Sequence, residues 1–210
     1  MDKSIKHIPV LMVNHDPAHY PRYDLPAGYT FSADFSDFRA DWTAVALSSG
    51  LLGNREDALR IFDAEFAPRP DLWPARFAFV VDGNGTPAGI AALWDDLRTF
   101  GRPLRKFHWV GVDAAHERRG IGRALLTRIM DLNGGQGPLF LESQTTRYDA
   151  LNLYAKFGFR PYMGVTPAAW LDAPDAADRL GRAWTIVADK LAQYGARLPD
   201  PALSIDRPDA

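Results

Sequence analysis

Residues 107–132 constrain this 210-residue chain more than any other stretch. An apolar strand pattern at Phe107, Trp109, Val110 and Val112 runs into a polar turn. That turn ends in Gly120-Ile121-Gly122, and a helical apolar pattern follows at Leu125, Leu126, Ile129 and Leu132. A strand, a glycine-bearing turn and a helix in that order present several backbone N–H groups at a helix N-terminus, where an anion can bind. Gly120 and Gly122 carry no Cβ, so the backbone can approach a phosphate closely. Arg118, Arg119 and Arg123 add positive charge to the same turn. The stretch predicts a ligand that bears a pyrophosphate. It is not a Walker loop, because no Gly-Lys-Ser/Thr triplet opens the helix. It is not a dinucleotide fingerprint either, because Leu125 stands three residues after Gly122, where that motif needs glycine.

A second block follows. Leu139 to Gln144 reads as a buried strand, and Arg147 to Phe157 as a helix with Ala150, Leu151, Tyr154 and Phe157 on one face. Gly158 stops that helix and Phe159 opens the next strand. The two blocks together resemble the GNAT superfamily of N-acetyltransferases. The first resembles the family's acyl-CoA loop, Gln/Arg-x-x-Gly-x-Gly/Ala, with the departure that Glu117 occupies the Gln/Arg position. The second, Leu153-Tyr154-Ala155-Lys156-Phe157-Gly158-Phe159, resembles the Leu-Tyr-x-x-x-Gly-Phe signature at the usual distance after the first.

The resemblance implies an enzyme, an acetyl-CoA-dependent N-acetyltransferase, in which a primary amine attacks the thioester directly within a ternary complex. It implies that backbone groups of Val110, Gly111 and Val112 meet the pantetheine arm and the carbonyl. The amides of Arg118, Arg119, Gly120, Ile121, Gly122 and Arg123 would hold the pyrophosphate. Tyr154 would protonate the departing thiolate, a role that suits a phenol because it stays protonated at neutral pH and can still donate. The alternative is a non-catalytic acyl-CoA-binding regulatory domain with the same fold.

The amine is mostly protonated at neutral pH, so a base must receive its proton. His108, read as the start of the central strand, is one candidate because an ordinary imidazole titrates near neutrality. Glu142 on the neighbouring strand is another. Asp95, Asp96 and a water chain stay open, and each side chain also has a purely structural reading. His7, His15, His19 and His116 show no metal-ligand spacing and read as solvated. Trp42, Phe62, Phe66 and Trp73 fall where the family builds its acceptor groove, with core packing the better reading for Trp42 and Phe62.

Composition agrees with a globular enzyme. Hydrophobic residues make up 47% and charged residues 24% of the chain, enough for one sizeable core. A formal charge of −2 supplies no general attraction to nucleic acid or to a membrane surface. Cysteine is absent, which excludes disulfides, thiolate metal sites and a cysteine nucleophile. No apolar run reaches the ~18 residues of a membrane span. The N-terminus lacks a signal-peptide pattern. The expectation is a cytoplasmic monomer or homodimer that takes a small-molecule or peptide amine and binds no metal, nucleic acid or membrane.

Along the chain, residues 1–26 read as irregular, with Pro9, Pro17, Pro21 and Pro26. Residues 27–191 read as the GNAT domain, and residues 192–210 as a loose tail. Within the domain, Gly28 to Ala33 reads as a strand. Phe35, Phe38, Trp42, Val45 and Ser49 mark one helix face. Asn54 caps a second helix. Asp82-Gly83-Asn84-Gly85 turns a hairpin between two strands. Asp172 to Asp178 reads as a loop, and Gly181 to Val187 as a last strand. The resulting class is α+β, a GNAT-like mixed and mostly antiparallel central sheet flanked by helices in three α/β/α layers.

Overall fold

A computed structural model describes residues 4–165 and 175–206. Among them a seven-stranded, mostly antiparallel sheet runs in the order β2-β3-β4-β5-β6-β1-β7. The strands are β1 (Pro9–Asn14), β2 (Tyr29–Phe31), β3 (Phe77–Asp82), β4 (Pro87–Asp96), β5 (Leu104–Val112), β6 (Leu139–Gln144) and β7 (Arg160–Pro161). The helices are α1 (Phe38–Ser48), α2 (Arg55–Glu65), α3 (Trp73–Arg76), α4 (Ile121–Asn133), α5 (Tyr148–Lys156) and α6 (Ala176–Ala192). The chain divides into two compact units. One comprises Met1–Pro21, Trp94–Lys106 and Asn133–Ala210, and the other Arg22–Leu93 and Phe107–Leu132.

In the second unit an aromatic cluster supplies the core. Phe38, Trp42, Phe62, Phe66, Phe77 and Phe79 are all buried. Their rings meet mostly edge to face, with centroids 5.8 Å apart for Phe38 and Phe62 and 5.0 Å for Phe66 and Phe77. Such pairs add about 0.5–1.5 kcal/mol each beyond area burial. The local signals work as the sequence indicates. The Asn54 side chain accepts the Asp57 N–H at 2.8 Å and so caps α2. Gly85 takes φ +82° in the hairpin between β3 and β4. Helix α4 buries Ile121, Ala124, Leu125, Leu126 and Ile129 along one face.

In the first unit the structure corrects four expectations. Residues 1–26 are not irregular throughout, because Pro9–Asn14 is a strand between β6 and β7. It pairs antiparallel with both, with Leu11 opposite Glu142 and Val13 opposite Arg160. Val10 to Val13 are fully buried. A strand covered on both faces reads as a continuous apolar run rather than an alternation, and Pro9 is tolerated at its first residue. Gly181 to Val187 is not a strand but the middle of α6. Leu180, Ala183, Trp184, Val187 and Leu191 are buried, which is helical spacing on one face. Residues 172–174 of the expected loop lie outside the described residues. Asp175 precedes α6, so the loop does not extend to Asp178. Residues 192–210 are not simply loose. Ala202 bridges Tyr162, its N–H donates to the Pro161 carbonyl at 2.7 Å, and Ala202 and Ile205 join Leu11, Val13 and Phe140 in a buried cluster.

Truncating Leu11 therefore leaves a cavity in a doubly covered strand. Leu11→Ala should cost about 2–5 kcal/mol in chemical denaturation. An effect below about 0.5 kcal/mol would return residues 1–26 to the status of a surface segment.

Candidate functional site

The turn after β5 is fixed at both ends. The Asp113 N–H donates to the Ala88 carbonyl at 3.0 Å, and its carboxylate accepts the Ala115 N–H at 2.9 Å and the Ser48 hydroxyl. These bonds tie the start of the turn to β4 and to the end of α1. Two residues then take left-handed backbone conformations, Arg118 at φ +58° and Gly120 at φ +97°. The Ala124 N–H bonds the Gly120 carbonyl at 3.3 Å as the first turn of α4 begins. The N–H groups of Ile121, Gly122 and Arg123 have no acceptor within the helix, which makes this the positive end of a 13-residue helix.

Gly89 on β4 is a determinant that lies outside both sequence motifs. A Cβ at this position would lie 3.0 Å from Leu125 Cδ1, 3.1 Å from Ile121 Cγ2 and 3.4 Å from the Gly111 carbonyl oxygen. Its bare backbone lets the first turn of α4 rest against the strands that carry Gly111. Gly111 is itself crowded, since a Cβ there would meet Leu51 Cδ1 at 2.7 Å and Ser49 Oγ at 2.8 Å. Val110, Gly111, Val112 and the 118–123 turn thus form one local assembly.

The three arginines have different surroundings. Arg119 donates to the Ala115 carbonyl at 3.2 Å, and the Arg123 guanidinium lies over the Tyr23 ring, 4.9 Å from its centroid. Arg118 and Glu117 are exposed.

The candidate bases stand in separate clusters. His108 is the fifth residue of β5 rather than its first. Its Nε2 lies 2.7 Å from Glu65 Oε2, and the same oxygen accepts the Trp109 indole N–H at 3.1 Å. Trp109 has φ +48°, uncommon for a bulky residue. Glu65 closes α2, and no motif in the sequence points to it, because only the fold brings a residue 43 positions away to the imidazole.

Glu142 sits on β6, 3.5 Å from Lys106 Nζ. Lys106 also meets Asp96 at 3.1 Å, with both side chains 12% exposed. Burial pushes the Asp96 carboxyl up, but the Thr99 and Arg98 amides and the Lys106 ammonium outweigh it and hold it below the ordinary carboxylate range. Asp95 lies 3.8 Å from Arg105. The three carboxylates in this part of the chain are therefore engaged with cations.

Tyr154 is buried on α5 beside Phe159. Burial pushes its phenol well above the ordinary range, with Arg147 opposing and Asp149 adding to the shift, so the hydroxyl keeps its proton. Gly158, just past the end of the helix, takes φ +87°. Of the aromatics considered for a groove, Trp42, Phe62 and Phe66 are core, and Trp73 packs half-buried on Phe38 and Phe62 while donating to the Phe66 carbonyl. His116 is not merely solvated, since its Nδ1 lies 2.9 Å from the Tyr29 hydroxyl.

Residues 74–161 match the family model of the acetyltransferase (GNAT) domain. A curated relative is the N-alpha-acetyltransferase RimI of Mycobacterium tuberculosis, 45% identical over 53 residues. That match covers 25% of this chain and one third (33%) of RimI's own length. Two solved structures show the same fold. One is a GCN5-related N-acetyltransferase from Sphaerobacter thermophilus, with a TM-score of 0.53 and 24% identity over 73% of this chain and 48% of that one. The other is a GNAT-family acetyltransferase from Colwellia psychrerythraea, with a TM-score of 0.52 and 9% identity over 75% of this chain and 54% of that one. The two sequence motifs are thus set on a mixed, mostly antiparallel sheet, as the resemblance implies. No helix among the described residues is long and apolar enough to cross a membrane.

Gly120 holds a backbone conformation that L side chains rarely adopt. Gly120→Ala should therefore destabilise the protein by about 1–3 kcal/mol in thermal or chemical denaturation. A parent-like stability would mean that the turn relaxes to another shape.

Proposed function

We propose that this protein transfers an acetyl group from acetyl-CoA to a primary amine, by direct attack in a ternary complex. The observation that carries the reading is the 118–123 turn. Free amides of a helix N-terminus, two left-handed residues and three arginines together suit a pyrophosphate, which is the recognition element of coenzyme A. In this reading the Arg118–Arg123 amides hold the pyrophosphate, and the backbone of Val110, Gly111 and Val112 meets the pantetheine arm and polarises the thioester carbonyl.

The amine nitrogen attacks the carbonyl carbon. The new N–C bond forms as the C–S bond breaks, and its electron pair stays on sulfur. His108 receives the amine proton and Tyr154 supplies a proton to the thiolate. His108 is preferred over Glu142, Asp95 and Asp96 because those carboxylates already neutralise Lys106 and Arg105. The acceptor is a small-molecule or peptide amine. RimI is named an N-alpha-acetyltransferase, so peptide N-termini belong among the acceptors tested.

Thiol release from acetyl-CoA in the presence of small amines and peptide N-termini tests the reading. Release that depends on an amine supports transfer, whereas tight acetyl-CoA binding with no release under any amine would favour a non-catalytic binding domain. Gly120→Val places a branched side chain in the turn and should weaken acetyl-CoA binding at least about tenfold by calorimetry, roughly 1.4 kcal/mol. Unchanged affinity in the folded variant would put the cofactor elsewhere. Tyr154→Phe keeps the buried ring and deletes only the hydroxyl. Turnover should fall about 10²–10⁴-fold with little change in acetyl-CoA binding. Parent-like turnover would reduce Tyr154 to a packing residue.

A further inference from the structure

We infer that Glu65 is a positioning residue that fixes which nitrogen of His108 carries the proton, and so makes Nδ1 the atom that receives the amine proton. The inference rests on the acetyl-transfer reading for its role in catalysis, but the tautomer itself is a property of the protein alone.

An ionised carboxylate can only accept, so the hydrogen in the 2.7 Å contact between His108 Nε2 and Glu65 Oε2 belongs to the nitrogen. A neutral imidazole has one N–H and one lone pair. With the proton held on Nε2, the lone pair stands on Nδ1. The contact is at the short end of N–H···O distances, as expected when the acceptor is charged. The carboxylate is itself oriented, because Oε2 also accepts the Trp109 indole N–H at 3.1 Å. Two donors of adjacent residues converge on one oxygen, which limits rotation of the Glu65 side chain.

Two further observations separate this from an ordinary surface ion pair. The His108 side chain is 17% exposed and that of Glu65 36%, so the contact is only partly open to water. Its donors also stand on an irregular stretch of strand, where Trp109 adopts φ +48°. A residue in that region costs of order 1–3 kcal/mol and persists only where its surroundings hold it. The indole bond to Glu65 is one such hold, with the Trp109 ring also edge-on to Trp42 at 5.6 Å. Phe66, the residue after Glu65, places its ring edge-on to the imidazole at 6.2 Å. The last turn of α2 thereby limits both the rotation and the tautomer of His108.

During transfer the Nδ1 lone pair takes the proton that leaves the amine nitrogen. The resulting imidazolium keeps its Nε2–H bond to the Glu65 carboxylate. That carboxylate stays ionised and offsets the new positive charge, and no proton passes to it. After product release the Nδ1 proton returns to water and the starting tautomer is restored.

Long-range nitrogen–proton NMR reads the tautomer directly, with the His108 signals assigned by their loss in His108→Ala. The expected result above the imidazole's titration is an Nε2-protonated ring in the parent and a mixture of tautomers in Glu65→Gln, which removes the charge at nearly constant size. The kinetic counterpart uses whichever amine supports thiol release. Glu65→Gln should lower kcat about tenfold or more without raising KM for acetyl-CoA. Glu65→Gln combined with His108→Ala should be no slower than His108→Ala alone, because the two residues act as one unit. An Nδ1-protonated ring in the parent, unchanged tautomers in Glu65→Gln, or additive losses in the double variant would each overturn the inference. Should Glu65→Gln fail to fold, Glu65→Asp, which keeps the charge but draws the carboxylate back from the ring, takes its place in both measurements. If no amine releases thiol, acetyl transfer fails, and the NMR result still settles what Glu65 does.

Discussion

The close packing of α4 on the sheet at Gly89 is the constraint on which the 113–123 turn depends. Side chains of Ile121 and Leu125 occupy the space a Cβ would fill, and the Gly111 carbonyl stands at the same point. A larger residue on β4 would lift the helix, and the N–H groups of its first turn would move with it. The turn has little freedom to compensate, because Asp113 is tied to Ala88, Ala115 and Ser48. Helix packing, strand backbone and loop geometry are therefore parts of one mechanical arrangement.

Charge is handled differently in the two candidate-base clusters. Lys106 stands between Asp96 and Glu142 with little exposure, so each charge there is offset by a neighbour. Loss of Lys106 there would leave two carboxylates without the cation they share. His108 instead faces the Glu65 carboxylate, which also holds Trp109. An imidazole can gain a proton there without losing its partner. The contrast comes from which elements meet: β4, β5 and β6 contribute the Lys106 cluster, whereas the end of α2 reaches β5 in the other.

Much of the fold is legible in local chemistry. Asn54 caps α2 through a bond to a residue three positions on, Gly85 turns a hairpin, and α4 shows its buried stripe at helical spacing. Where local reading fails, the cause is tertiary. Val10 to Val13 carry no alternation because both faces of β1 are buried, and four nearby prolines make the segment look irregular. Leu180 to Leu191 contain enough apolar residues to suggest a strand over seven positions, but their period only becomes clear over the 17 residues of α6. The segment after α6 has weak periodicity of its own and is ordered by Tyr162 and Pro161.

By itself the sequence determined the strand–turn–helix with its glycine pair and arginines, the Tyr154 signature, and through them the resemblance to the GNAT acetyltransferases. Those features depend on residues within about ten positions of one another, where backbone geometry and side-chain spacing are set locally. Only the tertiary structure decided that Glu65 meets His108, that Lys106 occupies Glu142 and Asp96, and that Gly89 admits α4 to the sheet. Each of those contacts joins separate elements of the chain. Its strength comes from burial and from distances of about 3 Å, and no local pattern encodes either.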